Sequence, residues 1–132
     1  MATVTTKLTI TSADLLSQNL NISVSKSALV EHTTGLARKA ITSTAKGTAS
    51  GQVTLATSGE YTSPNYLYVK NMDSTATDYI SIYADTSSDD PDLLYLAGGQ
   101  FAILPLTSGL TLKAYATTTN TVVEFMIFGT EA

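Results

Sequence analysis

The sequence predicts an all-β protein: a two-sheet antiparallel sandwich of eight to ten short strands, in jelly-roll or related Greek-key order. Three observations lead there. From Val53 to Phe128 short runs of alternating apolar and polar residues break at Gly, Pro, Asn, Asp or Ser and then resume. A period of two sends one face of each run into a core and the other into water, and many such runs in succession favour a sandwich or barrel. Only 14% of the residues are charged, against about 25% in ordinary soluble domains, and Ser and Thr fill the polar positions instead. Thr suits this use because its branched Cβ fits a pleated surface.

Residues 3–10 alternate through Leu8 and Ile10 and read as a first strand. Ser12 follows as a potential cap for one helical turn over residues 13–16. Leu20, Ile22 and Val24 alternate with Asn21, Ser23 and Ser25 in a second strand. Residues 36–44 (LARKAITST) suit either a strand or a short helix; strand is preferred, because β-branched residues end the run and no helical stripe continues. The small residues of 45–51 (AKGTASG) form the best candidate for a mobile loop. Residues 52–57 resume as a strand, and 58–65 (SGEYTSPN) form a long turn. Strands follow at 66–71, 78–84, 93–96, 101–105, 110–116 and 121–128. Gly98-Gly99 supplies a tight hairpin reversal between two of them.

At 132 residues the chain is read as one domain over 1–132, with residues 1–7 available as an extended N-terminal arm. The net charge is −4, and the seven Lys and Arg are scattered, which argues against nucleic acid as a partner. The absence of cysteine removes disulfides, thiolate nucleophiles and Cys-based zinc sites, and suits a reducing compartment. The start MATVTTKLTI lacks the basic and apolar regions of a signal peptide, and no apolar run approaches the ~20 residues of a membrane span. A surface with few charges and many hydroxyls is expected of a subunit that lies against other protein. An ordinary Thr-rich β domain shares that composition.

No catalytic, cofactor-binding or metal-ligating residue is assigned. His32, the one histidine, has no G-x-S-x-G nucleophile to serve and reads as a turn residue. Asp85, Asp89, Asp90 and Asp92 bring loop carboxylates together, as calcium prefers, but their spacing departs from the calcium-loop pattern and Pro91 stiffens the segment. Glu60 and Glu124 are the pair to consider for glycoside hydrolysis; nothing in the sequence sets them across a cleft. Seven tyrosines against no tryptophan form the other bias. Tyr66 and Tyr68 share one strand face, as do Tyr79, Ser81 and Tyr83. Such a face suits sugar or protein binding, and burial in a subunit contact is the preferred reading.

Residues 66–85 (YLYVKNMDSTATDYISIYAD), 98–106 (GGQFAILPL) and 112–131 (LKAYATTTNTVVEFMIFGTE) resemble small structural proteins of tailed bacteriophages, notably cyanophages. About half the chain carries the resemblance well, and residues 17–25 and 34–43 carry it more loosely. It implies a non-enzymatic virion β-sandwich of the capsid decoration (cement or knob) type. Such a protein binds the major capsid protein and copies of itself, stabilises the shell, and is assembled in the host cytoplasm. It supplies no catalytic residue; no cofactor is expected, and the charge and hydropathy arguments above leave nucleic acid and membrane out as partners. The alternatives are a tail, neck or fibre component and, second, a carbohydrate-binding module using the tyrosine faces.

Overall fold

The computed structural model describes residues 2–14, 19–48, 50–85, 91–107 and 109–131, the side chains of 62–64, 130 and 131 apart. By internal contact the chain forms two compact units, Met1–Glu31 and His32–Ala132.

The first unit is a long hairpin. Strand β1 (Ala2–Ser12) pairs antiparallel with β2 (Leu20–Val30) over all eleven positions, from Ala2 opposite Val30 to Ser12 opposite Leu20. Both strands exceed their expected lengths, and residues 2–7, the anticipated arm, pair with residues 25–30. Register and the period of two sort the side chains. Val4, Leu8 and Ile10 share one face with Leu20, Ile22, Val24 and Ala28, while Thr3, Thr5, Thr9 and Thr11 lie opposite Leu29, Ser27, Ser23 and Asn21 on the other. At the hairpin end the Ser12 hydroxyl donates to Asp14 Oδ1 at 3.0 Å. The helical turn expected over 13–16 falls partly on residues 15–18, outside the described set.

The second unit holds two antiparallel sheets. Its strands are β3 (His32–Thr33), β4 (Ala37–Ile41), β5 (Val53–Ala56), β6 (Tyr61–Asn71), β7 (Ile80–Ala84), β8 (Asp92–Leu96), β9 (Phe101–Leu106), β10 (Leu112–Ala116) and β11 (Thr121–Glu131). One sheet runs β5-β10-β7-β8. The other runs β3-β11-β6-β9, with β4 also paired to β11. The inward residues of both meet in one core: Leu67, Val69, Val123 and Phe125 from the larger sheet, Val53, Leu55, Ile80, Ile82, Leu112 and Ala114 from the smaller. Complete burial of a side chain the size of Leu67 or Ile82 stabilises the fold by about 1.5–3 kcal/mol.

The all-β expectation is met, and the strand 36–44 appears as β4. Among the described residues eleven strands stand where eight to ten were expected. Two expectations are corrected. The turn expected over 58–65 ends early, because β6 already begins at Tyr61. Pro64 cannot donate to a ladder, and the register accommodates it: Asn65 lies opposite Gly129 and Thr62 opposite Thr130, leaving two β6 residues between without partners in β11. The second correction concerns Gly98-Gly99, which is not a hairpin. β8 pairs with β7 and β9 with β6, so the turn carries the chain from one sheet to the other. A Cβ on Gly98 would collide with the carbonyl oxygen of Thr75, and Gly99 takes φ 80°.

Asn71, fully buried at the end of β6, fixes that crossing. Its Nδ2 donates to the carbonyls of Asp78 (2.8 Å) and Leu96 (2.9 Å), and its Oδ1 accepts from the Asp73 amide at 3.0 Å.

Candidate functional site

The residues that could engage a partner lie on three sheet faces. On the outer face of the smaller sheet, alternation along β7, β8 and β10 brings Tyr83, Tyr95 and Tyr115 around Asp92. The hydroxyls of Tyr95 and Tyr115 both donate to Asp92 Oδ2, at 2.6 and 2.7 Å. Lys46 Nζ stands 3.7 Å from Asp92 Oδ1 and 4.8 Å from the centre of the Tyr83 ring. Tyr83 donates to Gln52 Oε1 at 2.6 Å and meets Tyr115 edge to face at 6.0 Å.

The loop bearing Lys46 covers this face. It closes where the Thr42 and Ser43 amides both donate to the Gly51 carbonyl at 2.9 Å, and Gly51 has φ 86°. Its cover explains why Tyr83 is buried although its strand position faces outward. Burial works against the charge on Asp92, but the two tyrosine hydroxyls and the Lys46 ammonium prevail and hold its carboxyl below the usual value. Burial, with Asp92 adding to it, raises the Tyr115 hydroxyl; at exposed Tyr95 the hydrogen bond to Asp92 does most of the raising. The cluster is a fixed charge whose Oδ2 takes both tyrosine donors, while its buried Oδ1 has no hydrogen bond and faces the Lys46 ammonium at 3.7 Å. It leaves Leu93 and the Tyr95 ring, 56% and 59% exposed, as a flat apolar outer surface.

The outer face of the larger sheet carries a second constellation. Glu124, 6% exposed, accepts from Arg38 Nε at Oε2 (2.6 Å) and from the Tyr68 hydroxyl at Oε1 (2.9 Å). Arg38 and Tyr68 therefore keep its carboxyl below the ordinary range, against the effect of burial. Tyr66 stacks on Phe128 with ring centres 5.5 Å apart. Beside them, edge strand β9 presents Phe101 and Ile103, 62% and 39% exposed.

The third surface is the apolar face of the β1–β2 hairpin. Leu8 lies opposite Val24 and Ile10 opposite Ile22, all four between 42% and 55% exposed.

The residues weighed from sequence fall as follows. His32 sits half-buried in β3 opposite Gly129. Among the described residues no group of three or more His, Asp or Glu stands close enough to hold a metal ion. The acidic run is divided: Asp85 pairs with Lys113 and Asp92 joins the tyrosines, while Asp89 and Asp90 lie outside the described residues. Glu60 and Glu124 are not brought together. Glu60 lines a cleft of about 330 Å³ with Lys39, Thr57 and Phe125, whereas Glu124 belongs to the outer face, held by Arg38 and Tyr68. Tyr66 and Tyr68 share a face as expected. Sequence reasoning missed the Asp92–Tyr115 and Arg38–Glu124 contacts, separated by 23 and 86 positions. The one signal available was outward parity of each residue on its strand. Compared with protein-family models, curated proteins and solved structures, the chain matches none.

Proposed function

We propose that this chain is a non-enzymatic structural subunit of a phage virion, a capsid decoration protein that works by adhesion to the shell. The observation that carries the proposal is the amount of apolar surface left open on three separate sheet faces: Leu8, Ile10, Ile22 and Val24; Leu93 and Tyr95; Phe101 and Ile103. Scattered apolar residues are normal on a monomer, but contiguous stripes mark places where other protein lies. The tyrosine hydroxyls on these faces are tied to Asp92 and Glu124, so the rings are held rigid for contact rather than freed for chemistry. The resemblance of residues 66–85, 98–106 and 112–131 to phage structural proteins supports the same reading.

The strand order supports a jelly roll. From β4 onward eight strands pair first with last (β4–β11), second with seventh (β5–β10), third with sixth (β6–β9) and fourth with fifth (β7–β8).

Quantitative mass spectrometry of purified virions tests the proposal. A copy number on the order of hundreds per particle is expected of a shell protein under icosahedral repetition. A few to a few dozen copies would transfer the chain to the tail, neck or fibre, and complete absence from the particle would overturn the reading.

A further inference from the structure

Lys46 enters the tyrosine cluster from a loop that does not need it there. The loop closes on itself: the Ser43 amide donates to the Gly51 carbonyl at 2.9 Å, and the Ala45 carbonyl accepts from Gln52 Nε2 at 3.0 Å and from the Thr48 hydroxyl at 3.1 Å. None of these bonds uses the Lys46 ammonium. Its stem crosses instead to the outer face of the smaller sheet, where the nitrogen rests 4.8 Å from the centre of the Tyr83 ring and 3.7 Å from Asp92 Oδ1. The first distance is that of a cation held by an aromatic face. The second is too long for a hydrogen bond.

Asp92 is arranged for that kind of contact. Both tyrosine donors, Tyr95 and Tyr115, are spent on Oδ2, whereas Oδ1 is buried and takes no hydrogen bond. A buried carboxylate oxygen ordinarily recruits a donor, and here it is left with charge alone. Tyr83 is fixed by its own hydroxyl, which donates to Gln52 Oε1 at 2.6 Å, and by the edge-to-face Tyr115 ring. A ring face and a bare anionic oxygen therefore hold a cation without hydrogen bonding. A primary ammonium is poorly matched to them, since it has three donors to satisfy. A nitrogen clad in methyl groups has none, and its carbons settle at about 3.5–4.0 Å from their neighbours.

We infer that Tyr83 and Asp92, with Tyr95 and Tyr115 behind the carboxylate, form a binding site for a quaternary or fully methylated ammonium group, and that Lys46 fills it as an internal stand-in until such a group displaces it. Size agrees: the Lys46 side chain from Cβ to Nζ has as many heavy atoms as a tetramethylammonium ion. Access agrees as well. The Lys46 side chain is 21% exposed, and its head withdraws without breaking the loop's own hydrogen bonds. Withdrawal also returns rotamer freedom to a long side chain, which offsets part of the attraction lost. The chemistry recognised is shared by choline and by a trimethylated lysine on a partner protein.

The site does not rest on the adhesive role, and it is tested on the isolated full-length chain without particles. Choline, tetramethylammonium and dimethylbutanol, the uncharged carbon analogue of choline, are titrated while tyrosine-ring and Lys46 side-chain NMR signals are followed. Wild type is expected to bind both cations weakly, because they compete with a tethered group at roughly millimolar effective concentration. Its Lys46 methylene signals should lose their ring-current shift as the cation is added. Lys46→Ala is expected to bind both cations about tenfold more tightly, dimethylbutanol is expected not to bind, and adding Asp92→Asn to Lys46→Ala should abolish binding. A trimethyl-lysine peptide run beside choline separates the two sources of the group, and the tighter of the two names the natural one. Lys46→Ala protein that binds the cations no better than wild type would overturn the inference. So would dimethylbutanol binding as tightly as choline, which would make the pocket a mere apolar hollow. Should Lys46→Ala loosen the loop, the wild-type titration decides: Lys46 signals that never move at high choline rule out displacement.

Discussion

Asn71 and Leu96 are joined by a hydrogen bond from the Asn71 side-chain amide to the Leu96 carbonyl at 2.9 Å, and that bond ties the end of β6 in one sheet to the end of β8 in the other. A fully buried amide satisfied at both its nitrogen and its oxygen is costly to remove, because its partners are left desolvated and unpaired. Asn71→Ala is expected to lower the unfolding free energy by about 2–4 kcal/mol. Urea titration checks it, and a loss below about 0.5 kcal/mol would contradict the role.

The Asp92 cluster predicts a graded pair of effects. Tyr115→Phe removes one donor and is expected to cost about 1 kcal/mol, while Asp92→Ala strands two tyrosine hydroxyls and Lys46 and is expected to cost about 2–3 kcal/mol. Chemical denaturation reads both. In the double variant the Tyr115 effect should largely vanish, since its acceptor is already gone.

Acid stability follows from two carboxyls. Folding holds Asp92 and Glu124 below their usual values, so the stability they contribute is present above the ordinary carboxylate range. It is lost as pH falls through their lowered native values. Thermal midpoints should stay level from neutrality to about pH 5 and drop below it, less steeply in Glu124→Gln than in wild type. The tyrosines act in the opposite sense. Hydroxyls of Tyr61, Tyr68, Tyr95 and Tyr115 lie above the ordinary 10.0, so the stability linked to their protons is full below that pH and declines as pH rises through it.

Gly98→Ala tests the inter-sheet turn. The added methyl meets the Thr75 carbonyl oxygen, a backbone atom that cannot rotate away. A destabilisation of about 1–3 kcal/mol is expected, with the Asn71-bonded segment 72–79 losing amide protection first in hydrogen exchange.

Core strands were legible because their signal is local: a period of two names the inward residues of 66–71 and 80–84 whatever their neighbours. Sheet assignment was not. Gly98-Gly99 between two β runs suits a hairpin reversal, and only long-range pairing of β8 with β7 and β9 with β6 shows the crossing. Pro64 misled for a different reason. It argues against a strand interior unless a bulge receives it, and the bulge is fixed by the register with β11, more than 60 positions away. The outward tyrosines were recognisable by parity. Their acceptors were not, because Arg38, Tyr68 and Glu124 come from three strands and meet only when the larger sheet is assembled.

That assembly has an order imposed by translation. β11, which follows the other described strands in sequence, lies between β6 on one side and β3 and β4 on the other. While residues 121–131 are still unmade, the growing polypeptide can zip β6 to β9 but leaves β4 without a neighbour and the ribs formed by Leu67 and Val69 bare on one flank. Nascent chains stalled before that point should stay bound to holdase chaperones and yield to protease, and the whole larger sheet should click into place once residues 121–131 emerge.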